Sequence, residues 1–362
     1  MKSRLASTHY LADSVYQAEA TALFSQSWLF AGFLQQLQNE NDFLVVSRNQ
    51  REVVIQRMDG SLRAFVNVCA HRNSRIQTAL QGCRPLICPY HGWKYGSRGE
   101  LLGLPGREHF DAEELATVKL EPVQVGCVGP LVFINFDPHC GSLSDFLGAA
   151  APWLAALAPG ALEQTLTLEQ GCNWKVAVEN TLEFYHVNQV HRETFARLQA
   201  AELSPHFWGM HSMSTAQLGS DARRRAMLDK TLAQRANTAE GYEHLFVFPN
   251  LTLASTQGFT LSVQYFHPLS AGRTLFTTYT LACAPEAGAS TGFNPEIAKA
   301  LAQQAAAFNE QVFREDQSIC EQVQAGLRDA AQHCILGAME TRVAHFQSAY
   351  LAATDPRKAD SP

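Results

Sequence analysis

At 362 residues, the chain is long enough for two domains, and its 46% hydrophobic content is ample for two cores. A formal net charge of −6 and a pI near 6.1 give no hint of nucleic-acid binding. No run of about 20 apolar residues reads as a membrane span, and the N-terminus has no apolar signal-peptide core. Nine scattered cysteines fit a reducing cytoplasm better than a disulfide framework.

In chain order, Val15, Ala18, Leu23, Phe24, Trp28 and Leu29 predict one amphipathic helix over Ser14–Phe33, capped by Asp13 or Ser14. From about Asp42 the pattern becomes short β-rich runs: Phe43–Val46, Val53–Ile55, Ala64–Val68 and a closing strand near Leu131–Phe136. Glycines such as Gly60, Gly92 and Gly99 punctuate them. This predicts a small all-β domain over residues 35–140. Beyond Ser142, the chain predicts an Ala-rich helix over Ser144–Leu157, broken by Pro152, a strand over Leu162–Gln170 and a helix over Val176–Leu198. Several strands within 244–283 and one long helix over Ile297–Leu327 follow. The basic run Arg223-Arg224-Arg225 reads as a solvated helix face. The expected fold class is α+β, with an antiparallel sheet carrying helices on one side.

Two short loops carry the first chemistry. Cys69-Ala70-His71 and Cys88-Pro89-Tyr90-His91 each offer one thiolate and one imidazole. A structural zinc could use the same four donors. Zinc fingers, however, usually present a Cys pair and then a His pair. One Cys and one His per loop suits a two-iron cluster, in which one iron takes both Cys and the other both His. Pro89 stiffens the second loop, and Gly92 lets backbone approach closely.

These loops, Cys69-Ala-His71-Arg72 and Cys88-Pro-Tyr-His91-Gly-Trp93-Lys-Tyr95, resemble those of Rieske proteins. Respiratory-type members carry an extra Cys in each loop. This chain has Arg72, Asn73 and Ser74 after the first His and Tyr90 in the second loop, so it looks like the oxygenase branch. Cys83, between the loops, reads as an ordinary packed thiol.

The second constellation is Asn180-Thr-Leu-Glu183-Phe-Tyr185-His186-Val-Asn-Gln-Val-His191. Two His and one carboxylate are the ligand set of mononuclear non-haem Fe(II) oxygenases, which leaves positions open for O₂. Five residues apart, His186 and His191 would point about 140° from each other on an ideal helix, so chelation requires a break. Two unrelated surface histidines are the bland alternative. Together with Asn173-Trp174-Lys175 and Glu179-Asn180, however, the run resembles the iron-binding motif of Rieske oxygenase α subunits. The segment Glu315–Leu327 is similar to the family's late helix, which implies Asp316 as third ligand, with Glu315 as its rival. The Phe248-Pro249-Asn250 turn also resembles the family.

The resemblance runs from Trp28 to Gly326. It implies a Rieske [2Fe–2S] domain over 35–140, with Cys69, His71, Cys88 and His91 holding the cluster. It also implies a helix-grip catalytic domain over 1–34 and 141–362, with His186, His191 and Asp316 holding Fe(II). Glu183 would bridge His91 of a neighbouring subunit to His186 within a homotrimer. Asn180 is left as a supporting or structural residue. No flavin or nicotinamide fingerprint is visible, so NAD(P)H electrons would arrive through a separate reductase or ferredoxin. The implied activity is that of a terminal oxygenase hydroxylating or oxidatively demethylating a small organic substrate. Glu-x-Tyr-His resembles oxygenases of quaternary amines, and Phe207, Trp208, Tyr265 and Phe266 are candidates for an aromatic cation pocket. The alternatives are an aromatic-ring dihydroxylating dioxygenase and a Rieske electron carrier.

Overall fold

The computed structural model describes residues 2–219, 222–237, 241–288, 292–330 and 334–355. The chain forms two compact units: Phe24–Phe146, and Met1–Leu23 together with Leu147–Pro362.

In the first unit the strands are β1 (Leu29–Phe33), β2 (Asp42–Arg48), β3 (Arg51–Met58), β4 (Ser61–Val66), β5 (Gln81–Cys83), β6 (Lys94–Tyr95), β7 (Leu101–Gly103), β8 (Pro122–Val128) and β9 (Leu131–Asn135). Seven form one antiparallel sheet, ordered β1-β9-β8-β4-β3-β2-β5, and β6 pairs with β7. The register pairs Val45 with Val54 and Val54 with Phe65. These three join Cys69, Ile76, Cys88, Trp93 and Tyr95 in one buried cluster, so both thiols belong to the core of this unit.

The expected helix over Ser14–Phe33 is not continuous. Helical turns cover Thr8–Leu11 and Asp13–Glu19, a π-turn follows at Ala20–Phe24, and Leu29–Phe33 is the fully buried strand β1 paired with β9. An apolar run buried on both faces carries no period, so helix and strand look alike in sequence. The first unit therefore starts near Phe24 rather than residue 35. Cys83 lies on the edge strand β5 and is exposed, not packed.

The second unit holds β10 (Pro159–Gln170), β11 (Ala201–Glu202), β12 (His206–Trp208), β13 (His211–Gln217), β14 (Tyr242–Val247), β15 (Leu251–Thr256), β16 (Thr260–Ser270) and β17 (Arg273–Cys283). They form an antiparallel sheet ordered β10-β17-β16-β15-β14-β13-β11, with β12 added to β13. The helix Pro295–Asp329 packs against β10, β16 and β17. Asn294 caps it by accepting from the Glu296 and Ile297 amides. Its buried stripe of Ala298, Ala302, Ala306, Phe313, Cys320 and Leu327 follows the three-four spacing of one helix face.

The N-terminal turns are fastened to this unit by charge. Glu19 and Lys175 form a fully buried ion pair, and Glu19 also accepts from Trp174 Nε1 at 2.8 Å and the Tyr350 hydroxyl at 2.7 Å. Buried charges persist only when paired and hydrogen-bonded. Arg223 is exposed on the helix Ala222–Thr231, where Arg225 pairs with Asp229; the Arg224 side chain lies outside the described residues. Among the described residues, no helix is long and apolar enough to cross a membrane. All nine cysteines are free.

Candidate metal centres

The two loops of the first unit close in the same way. The Cys69 amide donates to the Ser74 carbonyl and the Asn73 amide returns to the Cys69 carbonyl. The Cys88 amide donates to the Trp93 carbonyl and the Gly92 amide returns to the Cys88 carbonyl. Asn73 and Gly92 hold the corresponding left-handed positions, with φ of 59° and 72°. Glycine and asparagine are the residues that adopt this conformation most readily.

The loops bring like donors together. His71 Nδ1 and His91 Nδ1 lie 3.1 Å apart, and His71 stacks on Trp93 with a ring separation of 4.7 Å. Burial pushes the Cys69 thiol up, and the adjacent Cys88 thiol adds to the effect. The Tyr95 hydroxyl accepts from the Ala70 amide at 3.1 Å and lies 3.1 Å from Cys69 Sγ, to which it would donate once that sulfur is a ligating thiolate. Burial and the neighbouring His91 and Arg72 charges lower the pKa of His71, which favours a neutral imidazole. Thiols paired with thiols and imidazoles with imidazoles fit a cluster with one sulfur-ligated and one nitrogen-ligated iron.

In the second unit, the helix Trp174–Thr181, capped by Asn173, stops short of the histidines. A separate turn covers Val187–Val190, with His186 at its start and His191 just past its end. The expected single helix over Val176–Leu198 is therefore broken in two places, which relieves the 140° divergence. The two Nε2 atoms come within 3.2 Å of each other. Asp316 Oδ1 lies 3.0 Å from His191 Nε2 and 3.6 Å from His186 Nε2. Among the described residues this trio alone forms a group of three His, Cys, Asp or Glu with all donor atoms within 4.8 Å. A tetrahedral zinc would converge the four loop donors in a comparable way.

Each imidazole is held from behind. His186 Nδ1 meets Glu183 Oε1, and Glu183 Oε2 accepts from the Tyr185 and His186 amides. His191 Nδ1 meets Glu315 Oε2 at 2.7 Å, where the Thr194 hydroxyl also donates at 2.6 Å. Asn180 Nδ2 donates to Asp316 Oδ1 at 2.7 Å. Burial pulls the His186 pKa down, but Asp316 and Glu183 outweigh it and push it up to about 9. Burial also raises the Asp316 carboxyl, but His186 and His191 more than offset this and hold it below the usual carboxylate range. The raised histidine and the lowered aspartate mark a shared proton between them. With a divalent iron in that proton's place, two imidazole nitrogens and one anionic oxygen on one side of a cavity, with outward contacts to carboxylates, would form its ligand set.

The cavity walls differ from expectation. Phe184, Phe195 and Tyr242 line it beside the trio, with ring centroids 5.4–6.1 Å apart. Tyr265 and Phe266 are core residues, Phe266 packing on Phe276. Phe207 is exposed and packs on His345, and Trp208 lies on β12; neither lines this cavity. Sequence reasoning also missed His244 and Gln264, which line the cavity from β14 and β16. Their two-residue spacing from Tyr242 and Ser262 is the signal that places them on one sheet face.

A β domain with a paired Cys/His site, joined in one chain to a helix-grip unit with a two-histidine, one-carboxylate site, is the layout of the Rieske non-haem iron oxygenases. The ring hydroxylating alpha subunit (catalytic domain) family matches residues 161–355, and the Rieske [2Fe-2S] domain family matches residues 27–119. The first match alone spans just over half of the 362 residues, and the chain belongs to the ring hydroxylating alpha subunit family.

The glycine betaine monooxygenase oxygenase subunit of Chromohalobacter salexigens is 32% identical over 184 residues, covering 49% of this chain and 41% of that protein. The chain thus spans under half the length of that relative. The chloroplastic choline monooxygenase of Amaranthus tricolor is 28% identical over 353 residues, covering 90% of this chain and 71% of that protein. A crystal structure of the quaternary ammonium Rieske monooxygenase CntA with an inhibitor superposes with a TM-score of 0.80 at 22% identity, covering 97% of this chain and 95% of that one. At that identity the likeness concerns the fold.

Proposed function

We propose that this chain is the terminal oxygenase component of a Rieske system that hydroxylates or oxidatively demethylates a small quaternary ammonium compound. Cys69, His71, Cys88 and His91 would hold the cluster, and His186, His191 and Asp316 the iron. The observation that carries this reading is the convergence of His186 Nε2, His191 Nε2 and Asp316 Oδ1 on one point, with both Nδ1 atoms turned to carboxylates. When bound, the two groups supply single electrons and a redox metal that activates O₂.

The protein's own residues orient and exclude. Glu183 fixes the Nδ1–H tautomer of His186, which leaves Nε2 free to bind a metal. Asn180 restrains Asp316. Phe184, Phe195 and Tyr242 keep water from the walls around the trio. The relatives act, by name, on glycine betaine and choline, which favours amines over aromatic rings. The trio also argues against a simple electron carrier, which has no use for a second metal site.

Glu183 takes a second role in this reading, as the link from His91 of a neighbouring copy to His186. A cluster that feeds the next copy's iron requires head-to-tail contacts that close, so the expected assembly is a homotrimer. Electrons would come from NAD(P)H through a partner reductase or ferredoxin. Nine free cysteines favour a cytoplasmic setting. The test is product analysis of the iron-loaded protein with a reconstituted reductase, across a panel of quaternary amines and aromatic compounds. Turnover of amines with O₂ consumption is expected. Turnover confined to aromatic rings, or a protein that binds no mononuclear iron, would refute the proposal.

A further inference from the structure

Behind the cavity wall lies a cation with no ion-pair partner among the described residues. Arg342, on the helix Thr341–Ala353, is 1% exposed. Its guanidinium donates to Ser212 Oγ at 3.1 Å, the Ser212 carbonyl at 3.3 Å, the His244 carbonyl at 3.2 Å and His244 Nδ1 at 3.1 Å. All four acceptors are neutral, and among the described residues no carboxylate lies within 4.0 Å of it. Glu202 acts on it only from a distance, its carboxylate being bonded to the Ser214 hydroxyl at 2.7 Å. A buried charge without a contact counter-ion is costly unless something compensates it.

The contact to His244 has a chemical consequence. A guanidinium can only donate, so His244 Nδ1 must accept and the ring proton must sit on Nε2. Burial and the Arg342 charge hold the His244 pKa well below the usual histidine range, so the ring is neutral. His244 lines the same cavity as His186, His191 and Asp316. Among the described residues, nothing accepts from its Nε2.

We propose that His244, backed by Arg342, receives the anionic end of the substrate by donating Nε2–H to a carboxylate, which makes the substrate class a small quaternary ammonium carboxylate. This rests on the oxygenase reading above and narrows it. The substrate carboxylate supplies the negative charge that Arg342 lacks, relayed through a neutral ring that cannot lose the interaction by tautomerising. Arg342 is a positioning residue; His244 touches substrate.

The experiment is anaerobic calorimetric titration of the iron-loaded protein with glycine betaine and γ-butyrobetaine, and with the carboxylate-free choline and tetramethylammonium. The carboxylates should bind roughly tenfold or more tightly, the size of one charge-assisted hydrogen bond. His244→Phe should remove that preference, read as the ratio of carboxylate to tetramethylammonium affinity within the same variant. His244→Gln, which keeps a neutral N–H donor, should restore part of it, and Arg342→Met should behave like His244→Phe. If Arg342→Met does not fold, the two His244 variants decide. Equal affinity for both ligand types, or equal loss for both in His244→Phe, overturns the assignment. If that happens while iron content, the cluster signal and amine-dependent O₂ consumption persist, only this inference falls. A protein without mononuclear iron overturns the oxygenase reading and this inference together.

Discussion

Glu315 and Asp316 are consecutive residues of one helix, and both reach the ring of His191, from opposite sides. Asp316 Oδ1 faces Nε2 at 3.0 Å and Glu315 Oε2 faces Nδ1 at 2.7 Å. The 100° step between neighbouring helix positions puts one carboxylate into the cavity and the other on the outer edge of the imidazole.

The two carboxylates should therefore fail differently. Asp316→Ala is expected to lose mononuclear iron while the cluster stays reducible. Glu315→Gln should retain iron at saturating metal but bind it about 10–100-fold more weakly, as is usual when the support of a ligating histidine is removed. Iron content after equilibrium dialysis, alongside the Rieske electron paramagnetic resonance signal, measures both. Iron retained in Asp316→Ala and lost in Glu315→Gln would reverse their roles.

In the first unit, Cys69→Ser and Cys88→Ser should each abolish the Rieske signal. Tyr95→Phe should keep the cluster and lower its reduction potential. The hydroxyl proton aimed at Cys69 Sγ stabilises the more negative, reduced state. Protein-film voltammetry gives the sign, and an unchanged or higher potential would contradict it.

Glu183→Gln should keep the cluster, the oligomer and, at saturating metal, the mononuclear iron. Electron transfer from cluster to iron should slow on the order of tenfold or more, because a neutral amide replaces a charge-assisted link. Single-turnover mixing of pre-reduced protein with O₂ and substrate reads this rate. Cluster oxidation at the wild-type rate would remove Glu183 from the route.

Glu19→Ala should destabilise the protein by about 3–5 kcal/mol, the usual cost of leaving a buried cation such as Lys175 unpaired. Denaturant titration against the parent checks this. A loss below about 1 kcal/mol would mean that Lys175 finds other compensation.

The pH dependence of stability should carry the mark of Glu179. Burial raises its pKa from 4.5 to about 7, although hydrogen bonds from Gln347 and Tyr10 and the Lys175 charge pull the other way. The folded pKa is the higher one, so this contribution is complete below about 4.5 and is lost as pH rises through 7. Glu179 is partly exposed, so the loss is expected to be about 1–2 kcal/mol. Glu179→Gln keeps an acceptor for Tyr10 and should flatten this part of the profile. Equal slopes between pH 5 and 8 in both proteins would count against it.

Much of this was legible from spacing alone. Short-range pairs such as Cys69/His71 and Cys88/His91 are visible because a tight loop has few ways to hold two donors. Asp316 was assigned by resemblance and not by spacing: Glu315 lies three residues after the buried Val312 and Asp316 three after the buried Phe313, so the helix pattern does not separate them. Gly92 was readable as a turn glycine that lets backbone approach closely, but its left-handed counterpart Asn73 was not, since asparagine has many other uses. The strand Leu29–Phe33 was misread as helix because its pairing partner is about a hundred residues away. The aromatic pocket was misassigned because burial does not distinguish a core ring such as Phe266 from a cavity ring such as Phe184. His244 gave no local signal, as its role depends on Arg342, 98 residues later.

The connectivity of the two units sets an order of events during synthesis. Phe24–Phe146 is continuous, so every strand of its sheet has left the ribosome before the middle of the chain is made. The other unit must wait: its first 23 residues emerge early, yet the lysine that neutralises Glu19 comes at position 175, and the aspartate facing His191 at 316. A nascent chain arrested shortly after residue 180 is therefore expected to take up a cluster and no mononuclear iron. Maturation would then load the electron store first and the oxygen-handling metal last, so the chain would hold no iron before it holds a cluster that a reductase can charge.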